Sequence, residues 1–287
     1  MNAKFGPAGT NLAFLANKKN KPLMFPKYIS KLGLNTLEYQ CGHGVRISEK
    51  SAKEYGDECK KHSIQLSIHS PYYISLSSVD PEKRKKSVDY ILKTAVTAKN
   101  MGAKRIVVHS GSCAKISRND ALELSKDTLK QSLIELKNND LSDIIICPEV
   151  MGKTNQLGTV EEVIKLCTLG ENVIPCVDFG HLNARLFGNL KSETDFENVL
   201  LKIENNLGSF KLKNIHIHFS KIEYSSPGGE KRHLTFEDKT YGPEFEPLAN
   251  ILVKKNISPV IICESAGTQV EDAITMKQIY QNIFLKK

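Results

Sequence analysis

Short apolar runs recur along the chain at intervals the length of a helix. They are rich in β-branched residues, as in Ile106-Val107-Val108 and Ile144-Ile145-Ile146, which is typical of parallel strands buried on both faces. The segments between them show the i, i+3, i+4, i+7 apolar spacing of amphipathic helices. Strands are predicted near residues 2–6, 34–39, 64–69, 104–109, 143–149, 173–178, 212–218 and 259–264, and helices near 24–32, 48–62, 81–101, 118–137, 159–169, 194–207, 244–255 and 269–284.

The clearest of these helices runs from Pro81 to Met101. Proline suits the first turn of a helix because its missing N–H needs no partner there. Val88, Ile91 and Leu92 begin an apolar stripe with helical spacing. Gly102 follows the last turn, where a glycine commonly ends a helix.

Eight strand-then-helix units predict an α/β fold, a (β/α)8 TIM barrel, which typically takes about 250 residues. No linker rich in glycine, serine or proline divides the chain, so residues 1–287 are predicted to form one domain. The longest irregular segment runs from Phe219 to Gly242 and carries Glu230 and His233. Long loops inside compact domains are often functional.

The composition is that of a soluble globular protein, with 40% apolar and 25% charged residues. No apolar run approaches the roughly 20 residues that a membrane span needs, and no signal-peptide pattern opens the chain. A cytoplasmic protein without a membrane partner is expected. Its seven cysteines include no CxxC pair and are expected to be reduced. The net charge of +8 is compatible with a nucleic-acid partner, but is a weak signal by itself.

Metal-binding residues lie at the ends of the predicted strands, where a TIM barrel carries its chemistry. A single histidine is more often structural than a metal ligand, and His43, in Cys41-Gly42-His43-Gly44, and His62, at a helix end, are interpreted as structural. Several carboxylates that each end an apolar run are harder to explain, because burying an unpaired charge is costly. The residues predicted to bind metal are His69, His109, Glu149, Asp178, His181, His216, His233 and Glu264.

Mixed histidine and carboxylate ligands favour Zn²⁺, with Mn²⁺ or Fe²⁺ as alternatives. Asp178 and His181 are three residues apart, a spacing that could serve two neighbouring ions. His216 and His218 alternate on one strand and so point the same way, which leaves His218 as a ligand or as an outer partner of one. No G-x-S-x-G, Walker A or G-x-G-x-x-G pattern occurs, which argues against a serine hydrolase, a P-loop NTPase or a Rossmann enzyme.

Four of these segments resemble endonuclease IV, the family of trinuclear-zinc apurinic/apyrimidinic endonucleases. The resemblance covers roughly residues 60 to 265, and the order and spacing of the motifs match. The motifs are Ile68-His69-Ser70-Pro71-Tyr72-Tyr73, Val108-His109-Ser110-Gly111-Ser112, Glu149-Val150-Met151-Gly152-Lys153-Thr154-Asn155-Gln156-Leu157-Gly158 and Val177-Asp178-Phe179-Gly180-His181.

The resemblance implies up to three zinc ions. His69, His109 and Glu149 would hold the first, and Glu149 would bridge to the second. Asp178, His216 and Glu264 would complete the second site, while His181 and His233 would hold the third with one more carboxylate. The family has an aspartate two residues before the last histidine, but that position here is Lys231. Glu230 is predicted to take its place.

The resemblance also implies a monomeric enzyme that cuts duplex DNA at abasic sites, with Glu149 as the catalytic residue that orients the attacking water. Two parts of the chain depart from the family. Phe5-Gly6-Pro7-Ala8-Gly9 lacks its early histidine, and Glu38-Tyr39-Gln40-Cys41-Gly42-His43 replaces a longer DNA-contacting loop. The residues predicted to contact DNA are Tyr72, Tyr73, Lys153, Lys221, Lys231 and Arg232.

Two other functions fit part of the pattern. A sugar isomerase or epimerase of the xylose-isomerase-like barrels needs one metal held by Glu, Asp, His and Glu on strand ends, and this chain could supply that set. Such a one-metal enzyme does not require His69, His109, His181 or His233. A metal-stabilised nucleic-acid-binding module without catalysis is the third possibility, and turnover on an abasic duplex separates the first function from both others.

Overall fold

The computed structural model describes residues 3–287. Residue 2, where the first strand is predicted to begin, lies outside them. The strands are β1 (Lys4–Pro7), β2 (Thr36–Gln40), β3 (Gln65–His69), β4 (Arg105–His109), β5 (Ile145–Glu149), β6 (Cys176–Asp178), β7 (His216–Phe219), β8 (Ile222–Ser225), β9 (Gly229–His233) and β10 (Val260–Cys263). The α-helices are α1 (Leu12–Ala16), α2 (Phe25–Lys31), α3 (Glu49–Lys61), α4 (Pro81–Met101), α5 (Arg118–Asn138), α6 (Val160–Cys167), α7 (Phe179–Arg185), α8 (Glu193–Lys213), α9 (Glu246–Lys254) and α10 (Gln269–Leu285), and Pro22–Met24 forms a 3-10 turn.

In the described range eight strands form one parallel sheet in the order β1-β10-β7-β6-β5-β4-β3-β2. The two edge strands approach each other and nearly close the barrel, since Ala8 pairs with Glu38 and the Gly9 N–H donates to the Glu38 carbonyl over 2.9 Å. Gly6 makes this approach possible, because a Cβ at that position would lie 1.7 Å from the Thr36 carbonyl oxygen. The predicted TIM barrel in a single domain is confirmed.

Local sequence sets the helix boundaries in the predicted way. Asp80 caps α4 by accepting the Glu82 N–H, Pro81 occupies its first turn, and Gly102 ends it in the left-handed conformation with φ 69°. The long helix α8 is interrupted at Gly208 (φ 81°, ψ 166°). The main core lies between the barrel and its helices, and its largest fully buried side chains include Phe5, Phe25 and Phe179.

Two regions at the barrel mouth differ from the predicted elements, and the short helix α1 is not among the predicted elements either. The segment from Phe219 to Gly242 is not irregular throughout, because β8 and β9 pair in it as an antiparallel hairpin. The helix α7 starts directly after β6, without an intervening loop. The Asp178 side chain makes this sharp turn possible by accepting the His181 N–H over 2.7 Å.

Candidate metal centre

Histidine and carboxylate side chains from five parallel strands meet at the carboxyl end of the barrel. The central one is Glu149 at the end of β5, which is fully buried. Its Oε2 atom lies 3.3 Å from the Nε2 atoms of both His69 and His109. Its Oε1 atom lies 3.2 Å from His218 Nδ1 and 3.4 Å from His181 Nδ1. One carboxylate thus joins two sets of potential ligands.

Four groups of potential ligands occur within the described chain, in each of which one ligand atom per residue lies within 4.8 Å of the others. One of them, Cys176, His216 and His218, lies deeper in the barrel, and the other three adjoin one another at its mouth. The first group is His69, His109 and Glu149; the second is Glu149, Asp178, His218 and Glu264; the third is His181, Glu230 and His233.

The second group differs from its predicted membership in one residue. The sequence predicts His216 there, but the structure brings His218 to it. Both side chains point into the barrel, as their alternation on β7 implies. His216 lies one layer deeper, level with Cys176 on the neighbouring strand, whereas His218 is level with Asp178. His216 instead contacts Glu38, with 3.0 Å between Nε2 and Oε2.

The third group is carried by α7 and the β8–β9 hairpin rather than by barrel strands. Glu230 Oε2 lies 3.5 Å from His181 Nε2, and the rings of His181 and His233 are 5.3 Å apart between centroids. Residues three apart on a regular strand face opposite sides. Here Tyr224 pairs with Glu230 while Glu223 pairs with Arg232, so Lys231 is an extra residue in a bulge. The bulge explains how Glu230 and His233 reach the same group.

Backbone contacts fix the hairpin against the loop that follows β5. The Glu230 N–H donates to the Gly152 carbonyl over 3.3 Å, and the Thr154 N–H donates to the Gly228 carbonyl over 3.2 Å. Gly152 allows this approach, since a Cβ there would lie 2.6 Å from Glu230 Cβ. Arg185 supports the same loop by donating to the carbonyls of Met151 and Gln156 over 2.7 and 2.9 Å.

Burial and mutual charge shift the pKa values of the side chains in opposite directions. Burial raises the pKa of Glu149, but hydrogen bonds from its four histidines outweigh this effect and hold that pKa well below its usual range. Burial and the neighbouring carboxylates of Glu149 and Asp178 raise the pKa of Glu264 to about 7, against the opposing effect of His218. Burial lowers the pKa of His69, but Glu149 outweighs burial and brings it to about 9.

The donor atoms fit divalent ions. Asp178 is fully buried; one of its oxygens caps α7, and the other, Oδ2, lies 3.3 Å from His181 Nδ1 but makes no hydrogen bond among the described residues. A buried carboxylate oxygen without a hydrogen bond is costly unless a cation accompanies it. Outer contacts also orient the rings, as is usual for histidines that bind metal. His69 Nδ1 lies 2.8 Å from the Ser70 carbonyl oxygen, and His233 Nδ1 lies 2.9 Å from the Ser220 hydroxyl.

The groups open into a cavity of about 370 Å³ at the barrel mouth, whose lining includes Gln40, Tyr72, Lys153 and Gln156. Tyr72 is half exposed, and its ring packs edge-on against His43 at 5.3 Å. Two predicted DNA contacts, Tyr72 and Lys153, therefore lie beside the potential ligands.

The other predicted DNA contacts lie apart from this cavity. Tyr73 packs against Tyr90 with 4.9 Å between ring centroids. Lys231 and Arg232 are exposed and pair with Glu223 over 3.1 and 2.7 Å. Lys221 does not fit its predicted role, because its buried ammonium group binds the Glu244 carboxylate over 2.6 Å and the Asp238 carbonyl over 2.8 Å.

Glu38 is a buried acid that the motifs do not reveal. It contacts both His216 and His218 from β2, with 3.0 Å between the nearest atoms in each case. Burial raises its pKa, but the charge of His218 and hydrogen bonds from both histidines hold it well below the usual range. Thr36, Glu38 and Gln40 alternate along β2, and this period-two polar pattern is the sequence signal that could have identified Glu38.

The chain belongs to the xylose isomerase-like TIM barrel family, whose model matches residues 26–280. An uncharacterized protein of Methanocaldococcus jannaschii is 34% identical over 252 residues, which are 87% of this chain and 88% of that protein. A probable endonuclease 4 of Mycoplasma pneumoniae is 28% identical over 214 residues, which are 71% of this chain and 69% of that protein.

Solved structures of two kinds share the fold. Endonuclease IV from Thermus thermophilus superposes with a TM-score of 0.67 and 14% identity over the whole of both chains. A D-tagatose 3-epimerase-like protein superposes with a TM-score of 0.72 and 19% identity, covering 99% of this chain and 98% of its own. At such identities the likeness concerns the fold alone. No helix in the described chain is both long and apolar enough to cross a membrane.

Proposed function

We propose that this protein is a zinc-dependent endonuclease that hydrolyses the phosphodiester 5′ to abasic sites in duplex DNA. The observation that carries the proposal is the presence of three adjacent ligand groups, two of which share Glu149. A one-metal sugar isomerase would use the second group alone. In such an enzyme the histidines of the first and third groups, which are buried or half-buried near Glu149, would have no role.

His69, His109 and Glu149 would hold one ion, Glu149, Asp178, His218 and Glu264 a second, and His181, Glu230 and His233 a third. Bound divalent ions would supply the positive charge that acidifies water and neutralises phosphate oxygens. The chain itself would orient the reactants. Four histidine contacts fix the Glu149 carboxylate. The α7 cap fixes one oxygen of Asp178, and the other oxygen faces His181 Nδ1 at 3.3 Å.

The cavity lining suits a phosphate next to a missing base. A lesion must leave the duplex for its phosphate to reach the ligand groups, and the absence of a base lowers the cost of that extrusion. Tyr72 presents a half-exposed ring that can stack in the resulting gap. Lys153 can pair with a neighbouring phosphate.

The proposal is tested by incubating the zinc-loaded protein with a duplex that contains one abasic-site analogue. We expect multiple-turnover cleavage on the 5′ side of the lesion and no cleavage of the matched undamaged duplex. Absence of cleavage by a protein that holds its zinc would contradict the proposal.

A single-metal sugar isomerase or epimerase is the second candidate. The second group alone provides the Glu, Asp, His and Glu ligands that such an enzyme requires, and a D-tagatose 3-epimerase-like protein shares the fold. The same preparation assayed with ketohexoses distinguishes the two functions, since this candidate predicts sugar interconversion and intact abasic DNA.

A further inference from the structure

The interior of the barrel beneath the second group is unusually polar. TIM barrel interiors are mostly filled by layers of bulky branched apolar side chains. Here buried side chains from the neighbouring strands β2, β3 and β4 and from β7 across the barrel place a hydroxyl, a carboxylate, a guanidinium and an imidazole in this space. They are Ser67, Glu38, Arg105 and His216.

Glu38 is at the centre of this layer and is fully buried. Its Oε2 atom accepts a hydrogen bond from the Ser67 hydroxyl over 2.9 Å and lies 3.0 Å from His216 Nε2. Its Oε1 atom accepts from the Gln40 amide over 3.3 Å and lies 3.0 Å from His218 Nε2. Three of these contacts hold the carboxylate in place, and the fourth directs it toward His218, which the structure places in the second group.

The two ring nitrogens of His218 face different layers. Nδ1 lies 3.2 Å from Glu149 Oε1 and 3.5 Å from Glu264 Oε1, within the second group. Nε2 faces Glu38 in the layer below, 3.0 Å from its Oε1 atom, although this contact does not have the geometry of a hydrogen bond. The ring nitrogens of His69 and His233 that face away from the ligand groups contact a neutral carbonyl and a hydroxyl, respectively. The corresponding nitrogen of His218 contacts the Glu38 carboxylate.

We propose that Glu38 is a positioning residue that keeps the His218 proton on Nε2 and so presents the Nδ1 lone pair to the second group. A carboxylate behind a metal-binding histidine fixes its tautomer and ring orientation and makes it a stronger ligand. The proposal rests on metal binding at the second group, which both candidate functions share. His216 then acts through Glu38: with Ser67 it holds the carboxylate, and it is not itself a ligand.

The first test compares zinc affinities of the wild type and Glu38→Gln by competition with a chelator. Glutamine keeps the size and an acceptor oxygen but removes the charge. We expect one zinc ion to bind about 10–100-fold more weakly, the range typical of lost outer partners, while the other ions bind as before. Ser67→Ala is the matched control, because it removes one donor to Glu38 and leaves the charge; its affinities should stay within roughly threefold of the wild type, below that range.

A purely structural role gives a different pattern. It would lower the unfolding temperature of the metal-free Glu38→Gln protein and leave every zinc affinity unchanged, or weaken all ions alike. Either result overturns the proposal. The test does not depend on DNA cleavage: if the wild type binds a single ion and leaves abasic DNA intact, the affinity of that ion still reports on Glu38.

The second test needs no variant. In the zinc-loaded wild type, ¹⁵N NMR of the histidine side chains, with His218 assigned from a His218→Gln spectrum, should show His218 protonated at Nε2 and not at Nδ1. A proton on Nδ1 of His218 would overturn the proposal even if Glu38→Gln failed to fold.

Discussion

The inner and outer parts of the candidate centre are built on different supports. The first and second groups are carried by strand ends of the barrel, and their central residue, Glu149, is fully buried. The third group is carried by α7 and by a hairpin that contacts the β5–α6 loop through a few backbone hydrogen bonds. Sites on a rigid scaffold are held more precisely than sites on loops. The inner ions should therefore be retained more firmly, and the outer ion should exchange first.

The largest expected effect is that of Glu149→Gln, which acts on both inner groups at once. The substitution is nearly isosteric and removes the charge that two ions would share, so cleavage of an abasic duplex should fall by on the order of 10³-fold or more. Gel assays measure the rate, and far-UV circular dichroism should show an unchanged fold. Glu58→Gln on α3 is the control and should cleave normally; near-native activity of Glu149→Gln would refute the shared-ligand role.

A selective effect is expected from Glu230→Ala on the hairpin. Removing this carboxylate leaves His181 and His233 as the remaining ligands of the third group, so elemental analysis should find about one zinc equivalent fewer while the inner pair stays bound. Cleavage should fall by roughly 10²-fold, because charge near the phosphate is lost. The matched control is Glu223→Ala, since Glu223 lies on the same hairpin and pairs with Lys231 and Arg232. Equal zinc content in the two variants would exclude Glu230 as a ligand.

Acidity should weaken binding at the inner groups. A carboxyl must lose its proton to bind a metal, and in the metal-free protein the pKa of Glu264 is about 7 while that of His69 is about 9. Burial lowers the pKa of His218, but Cys176 and the carboxylates of Glu38 and Glu264 hold it well above its usual range. Zinc must therefore displace protons from His69 below about pH 9 and from His218, and also from Glu264 below about pH 7. Affinity should thus fall by about tenfold per pH unit for each proton displaced. Chelator competition across pH 6–9 measures this slope, and a flat profile would contradict it.

The smallest effect is expected from deleting Lys231. Deletion places Glu230 two residues before the last histidine, a spacing that puts both side chains on one face of a strand without a bulge. The third ion should therefore be retained, with zinc affinity within roughly threefold of the wild type. Insertion of a glycine after Lys231 is the contrasting change and should release that ion. Loss of zinc from the deletion variant would contradict this prediction, because it would show that the bulge does more than place Glu230 and His233 on the same face.

The same contrast explains what the sequence could predict. The strand ends at His69, His109, Glu149 and Asp178 follow from apolar runs, whose period and length are local properties. The choice between His216 and His218 is not local, because both face the barrel interior and only the strand register sets their depth.

Other features depend on partners distant in the chain. Lys221 comes directly after a strand, where a lysine is expected to be exposed, yet it is buried and pairs with Glu244. Glu38 contacts His216 and His218 only because the closed barrel brings β2 close to β7. The bulge at Lys231 depends on how β8 and β9 pair, so the pattern of strand ends cannot predict it.

The central claim is that three metal ions act together on a phosphodiester, and one titration tests it directly. Metal-free protein is loaded with increasing zinc, and bound zinc and the initial rate of cleavage of an abasic duplex are measured on the same samples. We predict that cleavage remains low until the third equivalent is bound and reaches its maximum there. Saturation of the protein at one equivalent, or three bound equivalents without cleavage, would contradict the account.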